Sequence, residues 1–276
     1  MPVHIDKVES SPEGPSGRTM GRWLRSGGLF AVGLLEWTTA PPEALIAHLR
    51  DVEERIPTGG NRYEEVHTLT IQGVFTDGPR TAIIYRASRQ PADLRDVLLT
   101  VPKPSGADRR TLSSIIATQV RSLHVHFQLP HPGLRAESFV FRGDAAKPDL
   151  SRPYLLDWAR PASSDMYRHP DYQPGQTRWF YDAWALMMIL SEIADWLPVD
   201  REFKDEEDLR KKKVERARLV ARPEWKGAET AEIFEFGFGV LLERDVHMLE
   251  KYTRWDVKRF YDKLCALLGP TQAKWP

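Results

Sequence analysis

The sequence predicts an α+β fold with its strands gathered toward the N-terminal end and helices after them. Three observations predict it. The apolar run at 29–37 (LFAVGLLEW) reads as a buried strand. Two β-rich runs, 67–75 and 81–86, flank the turn residues Thr76-Asp77-Gly78-Pro79 and read as a hairpin. Downstream, 178–197 (RWFYDAWALMMILSEIADWL) is apolar nearly all round, which marks a helix at the centre of a large domain.

The elements follow in order. Residues 1–21 are poor in apolar side chains and rich in Pro, Gly and Ser, so they read as a disordered leader. After the first strand, Pro41-Pro42-Glu43 opens a helix with proline in its first turn. Leu45, Ile46, Leu49, Val52 and Ile56 give that helix one apolar face, and Pro57-Thr58-Gly59-Gly60 ends it. The hairpin is followed by a short helix at 93–99. A break at Pro102, Pro104 and Gly106 precedes a longer helix at 108–127, with Leu112, Ile116, Val120 and Leu123 on its inner face. A short strand at 138–141, a polar loop at 142–152 and a second short strand at 153–158 come next. Proline at 153 is tolerated as a first strand residue. Beyond the central helix, 202–221, 228–250 and 254–268 read as helices.

Composition narrows the function. Lys plus Arg equals Asp plus Glu, 39 against 39, which argues against a dedicated nucleic-acid binder. Cys265 is the only cysteine, so an internal disulfide is excluded, and its setting reads as a buried thiol on a helix. No apolar run reaches the ~18–20 residues of a membrane span, and the N-terminus lacks a signal-peptide core. These readings point to a cytoplasmic protein without a membrane partner.

Motifs in the second half carry a resemblance. His131-Pro132-Gly133-Leu134-Arg135-Ala136-Glu137-Ser138-Phe139-Val140 enters the short hairpin directly after the long helix. It resembles the protein-kinase catalytic loop, H-R-D-L-K-P-E-N-I-L. Leu156-Asp157-Trp158 closes the hairpin where kinases carry D-F-G. Tyr167-Arg168-His169-Pro170 stands near the place of A-P-E, and Tyr181-Asp182-Ala183-Trp184 resembles the start of the central kinase helix. The ordered set is most similar to the kinase-like domains of fungal heterokaryon-incompatibility-type signalling proteins, whose D-I-Y-R-H-P is matched by Asp165 to Pro170. The resemblance covers roughly 24–197. It implies a two-lobed kinase-like fold with a reduced N-lobe sheet at 22–90 and a mainly helical C-lobe at 91–276.

The same alignment implies that the transfer chemistry is degraded. The catalytic aspartate is replaced by Gly133, which has no proton acceptor. The metal-binding asparagine becomes Ser138 and the loop lysine becomes Arg135. Asp157 is retained and is the one metal candidate, if nucleotide binds. Gly27-Gly28 and Gly33 do not reproduce a glycine-rich loop, and the lysine strand carries Glu36 instead, with no lysine from Met20 to Pro102. Glu53 or Glu54 would be the helix glutamate without its partner.

The resemblance therefore implies a pseudokinase: no catalytic residue, no obligatory cofactor, and a role as a protein-binding or regulatory module in signalling. Its switching parts would be 158–172 and the helix 42–56. Two other readings stand beside it. One is an atypical phosphotransferase or nucleotide-binding protein using Mg-ATP, Asp157, Ser138 and Arg135, with Arg22, Arg25 or Arg62 supplying the missing cation. The other is a helical scaffold whose resemblance is accidental.

Blander readings of single residues remain open. Asp157 reads equally well as a turn residue. His131 and Asp182 read as architectural, Asp182 because a carboxylate in so apolar a helix needs hydrogen-bond donors. His124, His126 and His131 have no metal-ligand spacing. The charge-dense stretch 205–218 reads as a solvated helix face. Trp179 and Trp184 read as core, and Trp225, Trp255 and Trp275 as candidates for a partner surface.

Overall fold

The computed structural model describes residues 3–5, 7–11, 17–24, 29–56, 66–144, 146–159, 165–173, 176–243 and 246–269. The chain is mixed α+β, a small sheet followed by a helical C-terminal part. Six strands, β1 (Val3–His4), β2 (Glu9–Ser10), β3 (Arg18–Leu24), β4 (Phe30–Thr38), β5 (Ile71–Asp77) and β6 (Arg80–Arg86), make one sheet in the order β1-β5-β6-β4-β3-β2. Every neighbouring pair is antiparallel except β1 with β5. Helix α1 (Pro42–Arg55) joins β4 to β5.

Of the disordered leader expected at 1–21, the described residues supply β1, β2 and the start of β3 instead, while 1–2, 6 and 12–16 lie outside the described residues. Composition concealed the start of β3 because its first two residues, Arg18 and Thr19, are polar yet buried. The period of two along a strand then sorts the sheet into faces. Leu35 and Trp37 join Trp23, Ala82 and Ile84 in a small core on one face. Leu34, Val74, Ile83 and Tyr85 turn to the other face and merge with the main core. Glu36, two residues from Leu34, is therefore carried into the interior on the helical side, fully buried. The β5–β6 hairpin pairs Asp77 with Arg80 across Gly78-Pro79, and Gly78 takes φ +56, which a two-residue turn requires.

The helical part begins with β7 (Ala92–Asp93) and α2 (Leu94–Thr100), where the Asp93 side chain caps the helix by accepting from Asp96 N. Helix α3 (Gly106–Ser122) is capped by Ser105 and ends earlier than the sequence suggests. Residues 123–127 form one wider π-helical turn that stops at Gln128, in the left-handed region. β8 (Phe139–Phe141) pairs with β7 and with β11 (Tyr154–Leu155). The expected polar loop contains a small hairpin, β9 (Gly143–Asp144) and β10 (Lys147–Pro148).

Helix α4 (Trp179–Asp195) is the centre: every residue from Phe180 to Ala194 is buried. Around it stand α5 (Glu206–Val220), α6 (Pro223–Lys226), α7 (Ala228–Glu243), α8 (Val246–Glu250) and α9 (Arg254–Leu268). Within the helix expected at 228–250 the described residues form α7 and α8, with 244–245 outside the described residues, and α6 was not foreseen. α5 is capped by Asp205 and buries Leu209, Lys213, Ala217 and Val220, so it is not solvated all round. Cys265 is partly rather than fully buried. Among the described residues no helix is long and apolar enough to cross a membrane. The expected terminator at 57–60 and Gly27-Gly28, Arg25, Arg62 and Trp275 lie outside the described residues.

Gly33 is where the sheet is least tolerant. A methyl group there would collide with the Tyr85 carbonyl oxygen and the Trp23 ring. Gly33→Ala is expected to lower stability by about 1–3 kcal/mol, read from urea denaturation midpoints at unchanged slope. An unchanged midpoint would contradict the tight β4–β6 packing.

Candidate functional site

The site is built around Asp157, which follows β11, is fully buried and takes a left-handed φ of +66. Aspartate tolerates that backbone better than most residues, but it still needs surroundings that hold it. Three side chains do so through its carboxylate. Arg18 Nη2 donates to Oδ1 at 2.6 Å, Ser138 Oγ to Oδ2 at 3.1 Å, and Arg135 Nε to Oδ2 at 3.3 Å. The Asp157 backbone N–H donates to Glu36 Oε2 at 3.0 Å.

The sheet delivers the first of these cations. Arg18 and Glu36 are directly opposite on β3 and β4, so both point to the same face. Arg18 Nε lies 3.8 Å from Glu36 Oε2, and the Tyr85 hydroxyl donates to that oxygen at 3.4 Å. Arg18 also donates to the Glu137 carbonyl at 2.8 Å and lies 4.0 Å from Asp93. Burial alone would lower its pKa. Asp157, then Glu36 and Asp93, outweigh burial and push the Arg18 pKa up. Burial raises Asp93 to about 6, against the Asp96 N–H that favours its charged form. Tyr85 is pushed well above the ordinary phenol range by burial and by Glu36.

Beneath this cluster, His131 links two elements. Its backbone N–H donates to Asp182 Oδ2 at 2.7 Å, at the start of α4. Its Nε2 lies 2.7 Å from the Leu156 carbonyl, which can only accept, so Nε2 carries the proton. Nδ1 is then left to accept from Gly133 N at 3.2 Å. Burial lowers the His131 pKa despite Asp182, which keeps the ring neutral. His124 shares Asp182 Oδ2 at 2.9 Å and stacks on Tyr261. His126 faces Arg121 instead.

A polar chain leaves the cluster on its other side. The Glu137 carboxylate holds Arg201 through both oxygens, at 2.7 and 2.9 Å. Arg201 donates to the Tyr167 hydroxyl at 3.3 Å, and that hydroxyl lies 2.8 Å from each oxygen of Glu192 on α4. Glu192 also accepts from Val199 N at 2.8 Å. Burial raises Glu192 to about 7, against the Val199 and Tyr167 donors.

Arg135, Ser138 and Asp157 are thus brought together, with His131 and Gly133 one layer away and Asp182 below. The candidate cations Arg22, Arg25 and Arg62 are not. Arg22 is exposed and paired with Glu9, and the other two lie outside the described residues. Glu54 is exposed at the far end of α1. Of the residues that complete the site, Glu36 is read from sequence only as standing in the lysine strand, and Arg18, Asp93 and Tyr85 are not read at all. Glu36 carried a usable signal, since a carboxylate inside an apolar strand demands a buried cation. Arg18 gave none while its segment passed for a leader.

Next to Gly133 opens a cavity of about 290 Å³. Arg135, Arg168, Arg178, Tyr172, Tyr181 and Asp182 are among its walls. Arg168 lies over the Tyr172 ring at 4.4 Å. No family model matches the chain, and no curated protein matches it significantly.

Removing the Asp157 carboxylate leaves Arg18 charged and buried beside fewer anions. Asp157→Ala is expected to cost about 3–5 kcal/mol in chemical denaturation. A carboxylate kept only to await a ligand would give a neutral or stabilising change instead. Glu192 sets a second expectation. Its folded pKa lies above the unfolded value of 4.5, so its contribution is full below about 4.5 and is lost as pH rises through 7. The stability of the wild type relative to Glu192→Gln should fall by about 3 kcal/mol between acid and pH 8. A flat difference would contradict the buried Tyr167–Glu192 contact. His169, lowered to about 4 chiefly by burial, acts oppositely, losing its contribution as pH falls below 6.5, and cancels in this comparison.

Proposed function

We propose that this chain is a pseudokinase: a two-lobed kinase-like protein that transfers no phosphate and serves as a protein-binding or regulatory module in the cytoplasm. The observation that carries this reading is the Arg18–Asp157–Glu36 cluster. In the resemblance, Asp157 stands where a kinase holds its metal ion and Glu36 lies in the strand that should carry the phosphate-pairing lysine. Here the charge on that strand is reversed and a cation from β3 occupies the aspartate. The links Asp182–His131–Leu156 join the central helix to the short hairpin, as an architectural catalytic-loop histidine would, and they weigh against an accidental resemblance.

The donor set does not fit Mg-ATP. Asp157 is covered by two guanidiniums and a hydroxyl, and a metal ion would have to displace Arg18 against the repulsion of Arg135. Gly133 offers no base. These features weigh against the atypical phosphotransferase that Arg135, Ser138 and Asp157 would otherwise suggest. Protein binding draws support from the 290 Å³ cavity, whose arginine and tyrosine walls have the composition of interface anchors, and from Trp255, which is 65% exposed.

The switching role expected for 158–172, of which 160–164 lie outside the described residues, is limited for the described part by burial. Met166, Tyr167 and His169 are buried, and Trp184 Nε1 donates to the Met166 carbonyl at 3.1 Å. Regulation in this proposal therefore acts at exposed surfaces around the cavity rather than by release of the whole segment.

The test is thermal unfolding with millimolar ATP, with and without Mg²⁺. A ligand at a hundredfold its Kd stabilises by about 2.7 kcal/mol, which moves the midpoint by several degrees at roughly 2–4 °C per kcal/mol. No shift is expected. A Mg²⁺-dependent shift would overturn the proposal and favour the nucleotide-binding alternative.

A further inference from the structure

Some of the described arginines pair with carboxylates and others do not, and one cavity gathers three that do not. Arg22, Arg55, Arg121, Arg201, Arg210 and Arg216 each meet a carboxylate at 2.6–3.0 Å. Arg86, Arg89 and Arg142 do not: among the described residues no carboxylate pairs with any of them. All three are exposed, and all three line the same cavity of about 570 Å³. It lies between the end of β6, the linker 87–91 and the β8–β9 junction, apart from the Asp157 cluster. Leu69, Thr70 and Gly143 complete its walls, and no acidic side chain is among them.

The arginines are placed by different elements. Arg86 ends β6, and its backbone N–H is held by the Thr70 carbonyl at 2.8 Å. Arg142 follows β8 and lies over the Tyr154 ring at 4.7 Å, with Arg152 over the same ring at 5.8 Å. Stacking restricts the Arg142 guanidinium without spending its donors. Arg89 comes from the linker. Asp144, beside Gly143 in the chain, accepts from Ala146 N within its own turn. Three uncompensated guanidiniums around one concavity focus positive potential there, although the chain has no net charge.

We propose that this cavity binds a ligand bearing two or more phosphate groups. Each guanidinium presents a fork of donors that matches phosphate oxygens. A monocarboxylate would neutralise only one of the three charges. Each phosphate monoester brings a charge of about −1.5 to −2, so two such groups match the site. Because its walls come from the sheet, the linker and the β8–β9 junction, bound phosphate would bridge these elements. The site is independent of whether nucleotide enters the Asp157 region.

The experiment uses sodium tripolyphosphate as the soluble probe, titrated calorimetrically into the full chain. Vesicles of phosphatidylcholine with about 5% phosphatidylinositol bisphosphate serve as the lipid probe in sedimentation. Arg86→Glu, Arg89→Glu and Arg142→Glu are compared with Arg218→Glu, an exposed reversal on α5. All are first checked for an unchanged thermal midpoint, and Arg89→Glu, on the exposed linker, keeps the test open if a strand-end variant misfolds. Saturable tripolyphosphate binding is expected, weakened about tenfold or more by each cavity reversal and less than about twofold by Arg218→Glu. Binding to tripolyphosphate alone identifies a soluble ligand; vesicle binding lost in the same variants identifies a headgroup. Absence of binding to both probes, or equal losses in Arg218→Glu, overturns the proposal.

Discussion

The buried pairing of Arg18 with Asp157 is the contact on which the rest of the site depends. Neither partner belongs in an apolar interior alone, since an unpaired buried charge costs several kcal/mol. Together they fix three elements at once. β3 must run far enough toward the helical part to deliver the guanidinium, Asp157 just past β11 must take the left-handed conformation, and the 135–138 turn must present Arg135 and Ser138 to the remaining oxygen. Glu36 closes the arrangement by accepting from the Asp157 N–H while facing Arg18 across the sheet. Such a network is costly to disturb at any point, because removing one member leaves the others desolvated.

Helix α4 plays the corresponding part for the helical layer. An all-apolar helix would bury well but would bind its neighbours in no particular register. Its few polar residues set that register. Asp182 holds the backbone of His131, Glu192 holds Tyr167 and Val199, and Ser191 accepts from Arg216 at 3.2 Å. Trp184 adds a hydrogen bond to Met166 and an edge contact with Phe238 at 5.0 Å. Hydrophobic burial supplies the driving force, and these directed contacts choose one packing among many.

Much of this was legible from residues alone, and the boundary has physical causes. The central helix announced itself by length and apolarity, and the β5–β6 hairpin by its turn chemistry. Asp182 could be read as bonded because its surroundings excluded water. The start of β3 was hidden because local composition measures apolar content, whereas Arg18 is buried through pairing with distant residues. The wider turn at 123–127 was equally hidden, since Leu123 keeps the apolar phase of α3 while the hydrogen bonding changes. Arg135, Ser138 and Asp157 were found by motif. Arg18 and Asp93, 75 residues apart in sequence, meet only in three dimensions.

The charge arrangement explains why these motif positions need not imply transfer chemistry. A metal-binding carboxylate works by presenting uncompensated negative charge to an ion, and a phosphate-pairing cation by presenting uncompensated positive charge to oxygen. In this chain each such group is already satisfied by the other: Arg18 by Asp157 and Glu36, Asp157 by Arg18, Arg135 and Ser138. The electrostatic free energy that a catalyst would hold ready for a ligand is used within the fold. Among the described residues, Arg86, Arg89 and Arg142 bring unpaired charge together in one cavity, where solvent rather than protein solvates it. That contrast, between a compensated interior cluster and an open cationic cavity, is the reason to look for ligands outside the Asp157 site.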